Sequence, residues 1–252
     1  MTARVHILNG AFDALTLAQT VDAVFAVLHA GRRGWLCTVN VATLMTMRRD
    51  ARMQTFVDRA CIVVADGQPL VWCAPLFGGR LPERVAGIDL IDPLCERAAA
   101  ESAGVYLLGS TGLVLDRALL ALRTRHPNLL ITGADGYFSE EAEARRADAI
   151  RASGARILLV GMGSPLQETF IRRHWGGLGV GVAIGVGGSF DVVAGARFRA
   201  HPWMRRLGLE WMVRLVQEPR RLLPRYLSTN WTFCSLVLEK IVSRLKRWAG
   251  SV

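Results

Sequence analysis

Six short, unbroken apolar runs, separated by helix-length segments, set the strongest limit on what this 252-residue chain can fold into. They are "WLCTVN" (35–40), "CIVVAD" (61–66), "GVYLLG" (104–109), "NLLITG" (128–133), "ARILLVG" (155–161) and "VGVAIGVG" (180–187). A strand wetted on one face alternates apolar and polar residues, whereas a strand covered on both faces is apolar throughout. Between the runs lie segments such as "LAQTVDAVFAVLHAG", with Leu17, Val21, Val24, Phe25 and Leu28 on one helical stripe and Gly31 as a stop. Strand and helix alternating in this way predict the α/β class: a layered sandwich around a mainly parallel sheet. The length suffices for one large α/β domain or two small ones.

After Gly195 the pattern changes. The segment "RFRAHPWMRRLGLEWMVRLVQEPRRLLPRYLSTNWTFCSLVLEKIVSRLKRWAG" has no strand signal and interleaves arginines with Trp, Leu and Met. The boundary predicted is a catalytic α/β domain over 1–196 and a basic, amphipathic helical appendage over 197–252. Charge follows the same boundary. The net charge is +10, and from Arg197 onward twelve Lys/Arg stand against three Asp/Glu, so the first 196 residues are nearly neutral. Such asymmetry points to anionic partners: nucleic acid, anionic lipid or a phosphorylated substrate. In the last helix Cys234, Leu238, Ile241, Leu245 and Trp248 share one side, while Lys240, Arg244 and Arg247 sit away from it. That stripe suits an anionic membrane surface, and equally suits docking on the body of the same chain.

The five cysteines (37, 61, 73, 95 and 234) show no CxxC spacing and most lie in apolar surroundings, as expected of buried thiols in a reducing compartment. The opening "MTARVHILNG" lacks the apolar core of a signal peptide, and no stretch reaches about 18 uninterrupted apolar residues, so neither export nor a spanning helix is expected.

In open α/β sheets, ligands bind beyond the carboxyl ends of the strands. Three runs end there in glycine-rich turns, "LLGSTG", "LLVGMGSPLQE" and "AIGVGGSFD". Gly109, Gly161 and Gly163 permit tight turns, after which a helix N-terminus can offer N–H groups to a phosphate. The dinucleotide fingerprint is poor: its third glycine is Leu166, no ribose-binding acid follows, and there is no Walker lysine. Polar residues gather at the same edge: Thr38 and Asn40 end one strand, Asp66 ends the next, Glu83 and Arg84 follow in "ERVAG", and Gln167 and Glu168 open a helix. For Asp66 the competing role is a helix cap, since Asp-Gly-x-Pro is also turn chemistry. Arg84 has the alternative of pairing with Glu83 or another acid, and Asp191 that of capping the segment after "GGSF". No DxD pair occurs, and the five histidines (6, 29, 126, 174 and 201) lack ligand spacing, so no metal site is expected.

In order along the chain, "TVN", "ADGQPLVW", "ERVAGIDL", "GYF", "GMGSPLQE", "GVGGSFDVVAG" and "GLEWMVRLVQEPRRLLPRYL" resemble the WecG/TagA/CpsF glycosyltransferases over about residues 35–227. The resemblance implies a Rossmann-like core. It also implies inverting transfer of a hexose or N-acetylhexosamine-type sugar from a UDP-sugar to a polyprenyl-pyrophosphate-linked saccharide, at the cytoplasmic face of the membrane, without a required metal or other cofactor. Such enzymes build surface polysaccharides. By the same resemblance Asp66 matches the general base, and Thr38, Asn40, Arg84 and Gln167 match positions around the sugar and diphosphate. Tyr137 and Asp191 match nucleotide-side contacts, and Arg214, Arg220, Arg221 and Arg225 match arginines that close over the pyrophosphates. Two departures stand out: Leu166 occupies a position where the family often has a basic residue, and "RAHP" places His201 where the family has proline. Donor sugar, acceptor, final polymer and homo-oligomeric state stay open.

The rivals come from other classes. A nucleic-acid-binding protein would use the basic tail and give the glycine turns no role. A nicotinamide oxidoreductase would use the turns but lacks its fingerprint.

Overall fold

The computed structural model describes residues 4–206 and 208–249. A short antiparallel hairpin, β1 (Val5–Ile7) and β2 (Gly10–Phe12), comes first. Then follow α1 (Leu17–His29), β3 (Gly34–Val39), α2 (Val41–Arg49), α3 (Ala51–Asp58), β4 (Ile62–Ala65), α4 (Gln68–Cys73) and a 3-10 turn over Ala74–Phe77. Next are α5 (Gly87–Ala100), β5 (Val105–Gly109), α6 (Gly112–Arg125), β6 (Ile131–Ala134), α7 (Glu140–Ala152), β7 (Ile157–Gly161), α8 (Leu166–His174), β8 (Val182–Gly185) and α9 (Ser189–Val193). The chain closes with α10 (Pro202–Arg206), α11 (Glu210–Gln217) and α12 (Pro219–Ala249).

All six apolar runs are strands, and together they form one parallel sheet in the order β4-β3-β8-β7-β5-β6. Period-2 alternation divides each run between two cores. Trp35, Cys37, Val63, Ala65, Tyr106, Leu108, Leu158, Val160 and Ala183 face one side, where α2, α3, α7 and α8 pack. Leu36, Ile62, Val64, Val105, Leu107, Ile157, Leu159, Val182 and Ile184 face the other, under α1, α5, α6 and α9. Connections that move one way along the sheet (α5, α6) use one face, and those that move back (α2–α3, α7, α8) use the other, as a single hand of crossover requires.

The hairpin carries no strand signal in the sequence, being two runs of three residues. It guards the sheet edge. Just after it, the Asp13 N–H donates to the Val63 carbonyl at 2.7 Å and the Asp13 carboxylate accepts from Val63 N–H at 2.8 Å, so part of the outer strand β4 is already paired.

The last helix docks on the body. Phe233 is buried in the same core as α2, with Leu236 and Val237 beside it. Lys240 lies 5.4 Å from the Phe77 ring, and Arg244 donates to the Pro75 carbonyl at 3.2 Å. The docked stripe is therefore Phe233, Leu236, Val237, Lys240 and Arg244, rotated from the stripe expected. Cys234 and Leu238 face outward instead, and Ile241 is half-buried. Lysine and arginine stems cover apolar surface while their heads reach polar partners, so hydropathy alone points to the wrong side as the buried one. The side chains of Leu245, Arg247 and Trp248 lie outside the described residues. No helix among the described residues is long and apolar enough to cross a membrane.

Candidate active site at the carboxyl edge of the sheet

Sheet order fixes the layout of the polar residues. Across the carboxyl edge the loops run Asp66 after β4, Asn40 after β3, Gly187 after β8, Gly163 after β7, Ser110 after β5 and Tyr137 after β6. Thr38, Asn40, Asp66 and Gln167 thus gather at one end and the centre. Tyr137, 77% exposed, follows a strand five spacings from β4, or about 24 Å at the usual interstrand distance. It cannot touch the atoms that Asp66 touches.

Asp66 is not the cap of the helix that follows it. Gly67 is the N-cap of α4, which has no side-chain cap, and the first turn carries Pro69. The Asp66 carboxylate lies 3.5 Å from Nη1 of Arg84, and both side chains are mostly shielded, at 18% and 15% exposure. Arg84 does not pair with Glu83, which accepts from the Leu17 N–H instead. Its Nη2 donates to Asp89 Oδ2 at 3.0 Å, and its Nη1 also lies 3.1 Å from Glu210 Oε2. Asp89 and Glu210 do not stand out in the sequence, although both fall inside quoted motifs, "ERVAGIDL" and "GLEW". The Arg84–Glu210 pair is made between distant parts of the chain and leaves no local periodicity to read.

Asn40 caps α2: its Oδ1 accepts from the Thr43 N–H at 3.0 Å and from the Thr43 hydroxyl at 3.2 Å. Thr38 points its hydroxyl toward the Gly185 carbonyl at 3.5 Å, beside Gly87 at the start of α5. Gln167 is buried, and its Oε1 accepts from Gly187 N–H at 3.0 Å while its Nε2 donates to Glu168 at 3.0 Å. It thereby ties the start of α8 to the turn after β8. A Cβ on Gly185 would lie 2.4 Å from Gln167 Nε2, so this bridge requires glycine there.

The glycines divide into two kinds. A Cβ on Gly109 would lie 2.5 Å from the Gly161 backbone, and one on Gly161 would lie 2.6 Å from the Phe190 ring, so these two let strand ends and loops close up. Gly163 (φ 78°) and Gly187 (φ 56°) have open space where a Cβ would be, and so does Gly112 at the start of α6. Neither α6 nor α8 has a side-chain N-cap, and in α8 the Gln167 N–H donates to the Gly163 carbonyl at 3.0 Å. Leu166, at the start of α8, is 61% exposed.

Asp191 lies in the first turn of α9 rather than capping it, since the N-cap is Gly188. Its carbonyl accepts from the N–H groups of Ala196 (2.8 Å) and Arg197 (3.0 Å), and its carboxylate lies 3.9 Å from Arg197 Nε. Arg197 also pairs with Glu218, so Asp191 sits at the root of the C-terminal helices. Arg220 is exposed. The side chains of Arg214, Arg221 and Arg225 lie outside the described residues. Among the described residues, no group of three or more His, Cys, Asp or Glu could hold a metal ion.

The open parallel sheet thus collects polar groups, glycine turns and uncapped helix starts beyond its strand ends, the edge at which α/β proteins of this class bind their ligands. The family model for the glycosyl transferase WecG/TagA/CpsF family matches residues 5–247, and the chain belongs to that family. It is a glycosyltransferase of surface polysaccharide biosynthesis, acting on a sugar donor and an acceptor. The match extends beyond residues 35–227 on both sides, taking in the hairpin and most of α12.

Proposed function

We propose that the chain moves a hexose or N-acetylhexosamine-type sugar from a UDP-sugar to a polyprenyl-pyrophosphate-linked saccharide, with inversion and with Asp66 as general base. The observation that carries this reading is the Asp66 carboxylate itself: it is placed at a strand end, beside Arg84, and does not cap α4, whose N-cap is Gly67. In the reaction an acceptor hydroxyl oxygen attacks the anomeric carbon, the bond from that carbon to the UDP oxygen breaks, and the hydroxyl proton passes to Asp66. UDP leaves with its negative charge, which fixed N–H dipoles and guanidinium groups stabilise. The first turn of α6, which has no side-chain cap and has open space at Gly112, suits the diphosphate. Arginine suits the same task, being permanently charged and able to bind phosphate through two N–H groups. Thr38, Asn40, Gln167, Tyr137 and Asp191 are assigned supporting places around donor and sugar, the first three through the loops they hold in position.

Residues 197–252 serve, on this reading, as an appendage that completes the site and holds the enzyme on the inner face of the cell membrane. Support comes from the outward apolar side chains Leu227, Trp231 and Leu238 on α12, a helix whose two ends are basic. The test is transfer from a panel of labelled UDP-sugars to a lipid-pyrophosphate saccharide in detergent. One donor should label the lipid, and Asp66→Asn should lose roughly 10²–10⁴-fold in turnover while UDP still binds. Near-full activity in Asp66→Asn would remove the base assignment. Failure of UDP to bind at all would remove the donor class.

A further inference from the structure

Where the C-terminal helices cross the carboxyl edge, six charged side chains meet and balance: Asp66, Asp89 and Glu210 against Arg84, Arg199 and Arg205. Three come from the α/β body and three from the segment after Gly195. None is more than 29% exposed, so solvent screens this cluster far less than a surface pair.

The partners are distributed unevenly. Nη1 of Arg84 lies between two carboxylates, 3.1 Å from Glu210 Oε2 and 3.5 Å from Asp66 Oδ1, while Nη2 is taken by Asp89 Oδ2 at 3.0 Å. The other Asp89 oxygen receives Arg199 Nη2 at 2.5 Å and lies 3.6 Å from Arg205 Nη1. Arg199 Nε is 3.9 Å from Glu210 Oε1. Asp89 therefore touches one arginine of the body and two of the C-terminal segment. It sits in the first turn of α5, where the helix dipole favours a carboxylate. Close by, Gly208 (φ 68°) rests on α4, where a Cβ would lie 2.8 Å from Gln68 Cβ and 3.1 Å from the Trp72 ring. The same segment thus meets the body at a second point, one helix turn beyond Asp66.

We propose that Asp89 and Glu210 are positioning residues: an ionic latch that ties the C-terminal helices to the rim of the site and holds Arg84 back from Asp66. The proposal rests on the reading of Asp66 as base. A guanidinium left with Asp66 as its main carboxylate would close on it with two parallel N–H bonds, the preferred arginine–carboxylate geometry. A carboxylate gripped in that way is a poor proton acceptor, because the cation favours its charged form. Asp89 occupies one nitrogen and Glu210 competes for the other, which keeps the Asp66 contact long. Glu210 arrives only with the C-terminal segment, so docking of that segment and readiness of the base are one event.

The experiment compares the full-length enzyme with Glu210→Gln, Glu210→Asp, Asp89→Asn and Asp89→Glu, each checked for folding by its thermal melt. Glu210→Gln should lower kcat about tenfold while changing donor KM less than about threefold, and Glu210→Asp should recover most of the loss, a split that a merely structural role would not produce. Independently of activity, limited proteolysis within residues 197–217 should speed up about tenfold in Asp89→Asn and Glu210→Gln, since cleavage follows the open population. If Asp89→Asn fails to fold, Glu210→Gln carries both readouts. Wild-type kcat together with wild-type protease protection in Glu210→Gln overturns the latch, even where Asp66→Asn is inactive. Absence of transfer with every donor would count against the functional reading alone, and the proteolysis would still decide the latch.

Discussion

The α/β body and the C-terminal helices are held by different physics. In the body the strands β3, β4, β5, β7 and β8 bury alternate residues in two cores, one on each face of the sheet. The C-terminal helices are anchored through one stripe of α12, centred on Phe233, and through the charged cluster around Asp89. Many of the large exposed apolar side chains among the described residues lie in this last part, including Phe198, Trp203, Trp211, Val216, Leu227, Trp231 and Leu238. The C-terminal helices instead bury charged side chains and leave tryptophan and leucine outside.

That contrast breaks most directly at Phe233. It is 6% exposed, and Phe233→Ala should cost about 3 kcal/mol, read from urea unfolding, because a ring leaves the core shared with α2. Leu238 lies on the outward side of the same helix, as Cys234 does. Leu238→Ala should therefore change stability by no more than about 0.5 kcal/mol. Equal effects at Phe233 and Leu238 would mean that α12 docks otherwise than described.

The outward stripe sharpens the comparison at the next scale. Trp231 is 79% and Leu238 60% exposed, so Trp231→Ser/Leu238→Ser should leave the melting temperature unchanged. Binding to vesicles rich in anionic lipid should weaken roughly tenfold in a sedimentation assay. Unchanged vesicle binding would assign that surface elsewhere.

How much of this is legible in the sequence depends on the range of the interactions involved. Five of the six sheet strands are legible because two-sided burial writes a continuous apolar run into each, and β6 keeps such a run although only Ile131 of it is buried. The hairpin β1–β2 is not, since strands of three residues leave no pattern. Thr38, Asn40 and Asp66 can be placed at one edge from strand endings alone. What Arg84 touches cannot, because Glu210 lies more than a hundred residues away and the pair is made by tertiary packing. The docked side of α12 differs from the expected one for a related reason: lysine and arginine stems count as polar in a hydropathy pattern and as covering surface in the fold.

The smallest effect separates the two regions by chemistry rather than by energy. Burial pushes the Cys95 thiol up to about 12 and the Cys73 thiol up to about 11, and raises Cys37 well above its ordinary value. A raised thiol value means less thiolate at a given pH, so at pH 8 Cys95 is ionised to about one part in ten thousand. Cys61 is exposed by area, yet its thiol is also raised by burial. Cys234 sits on the outward side of α12. In the native enzyme at pH 8 a maleimide should therefore modify Cys234 first and Cys61 more slowly, with Cys37, Cys73 and Cys95 reacting only on unfolding. Mass spectrometry of the labelled peptides checks the order. Modification of Cys95 ahead of Cys234 would show that the two-sided core opens more readily than α12 turns its outer face, which would invert the division drawn between body and appendage.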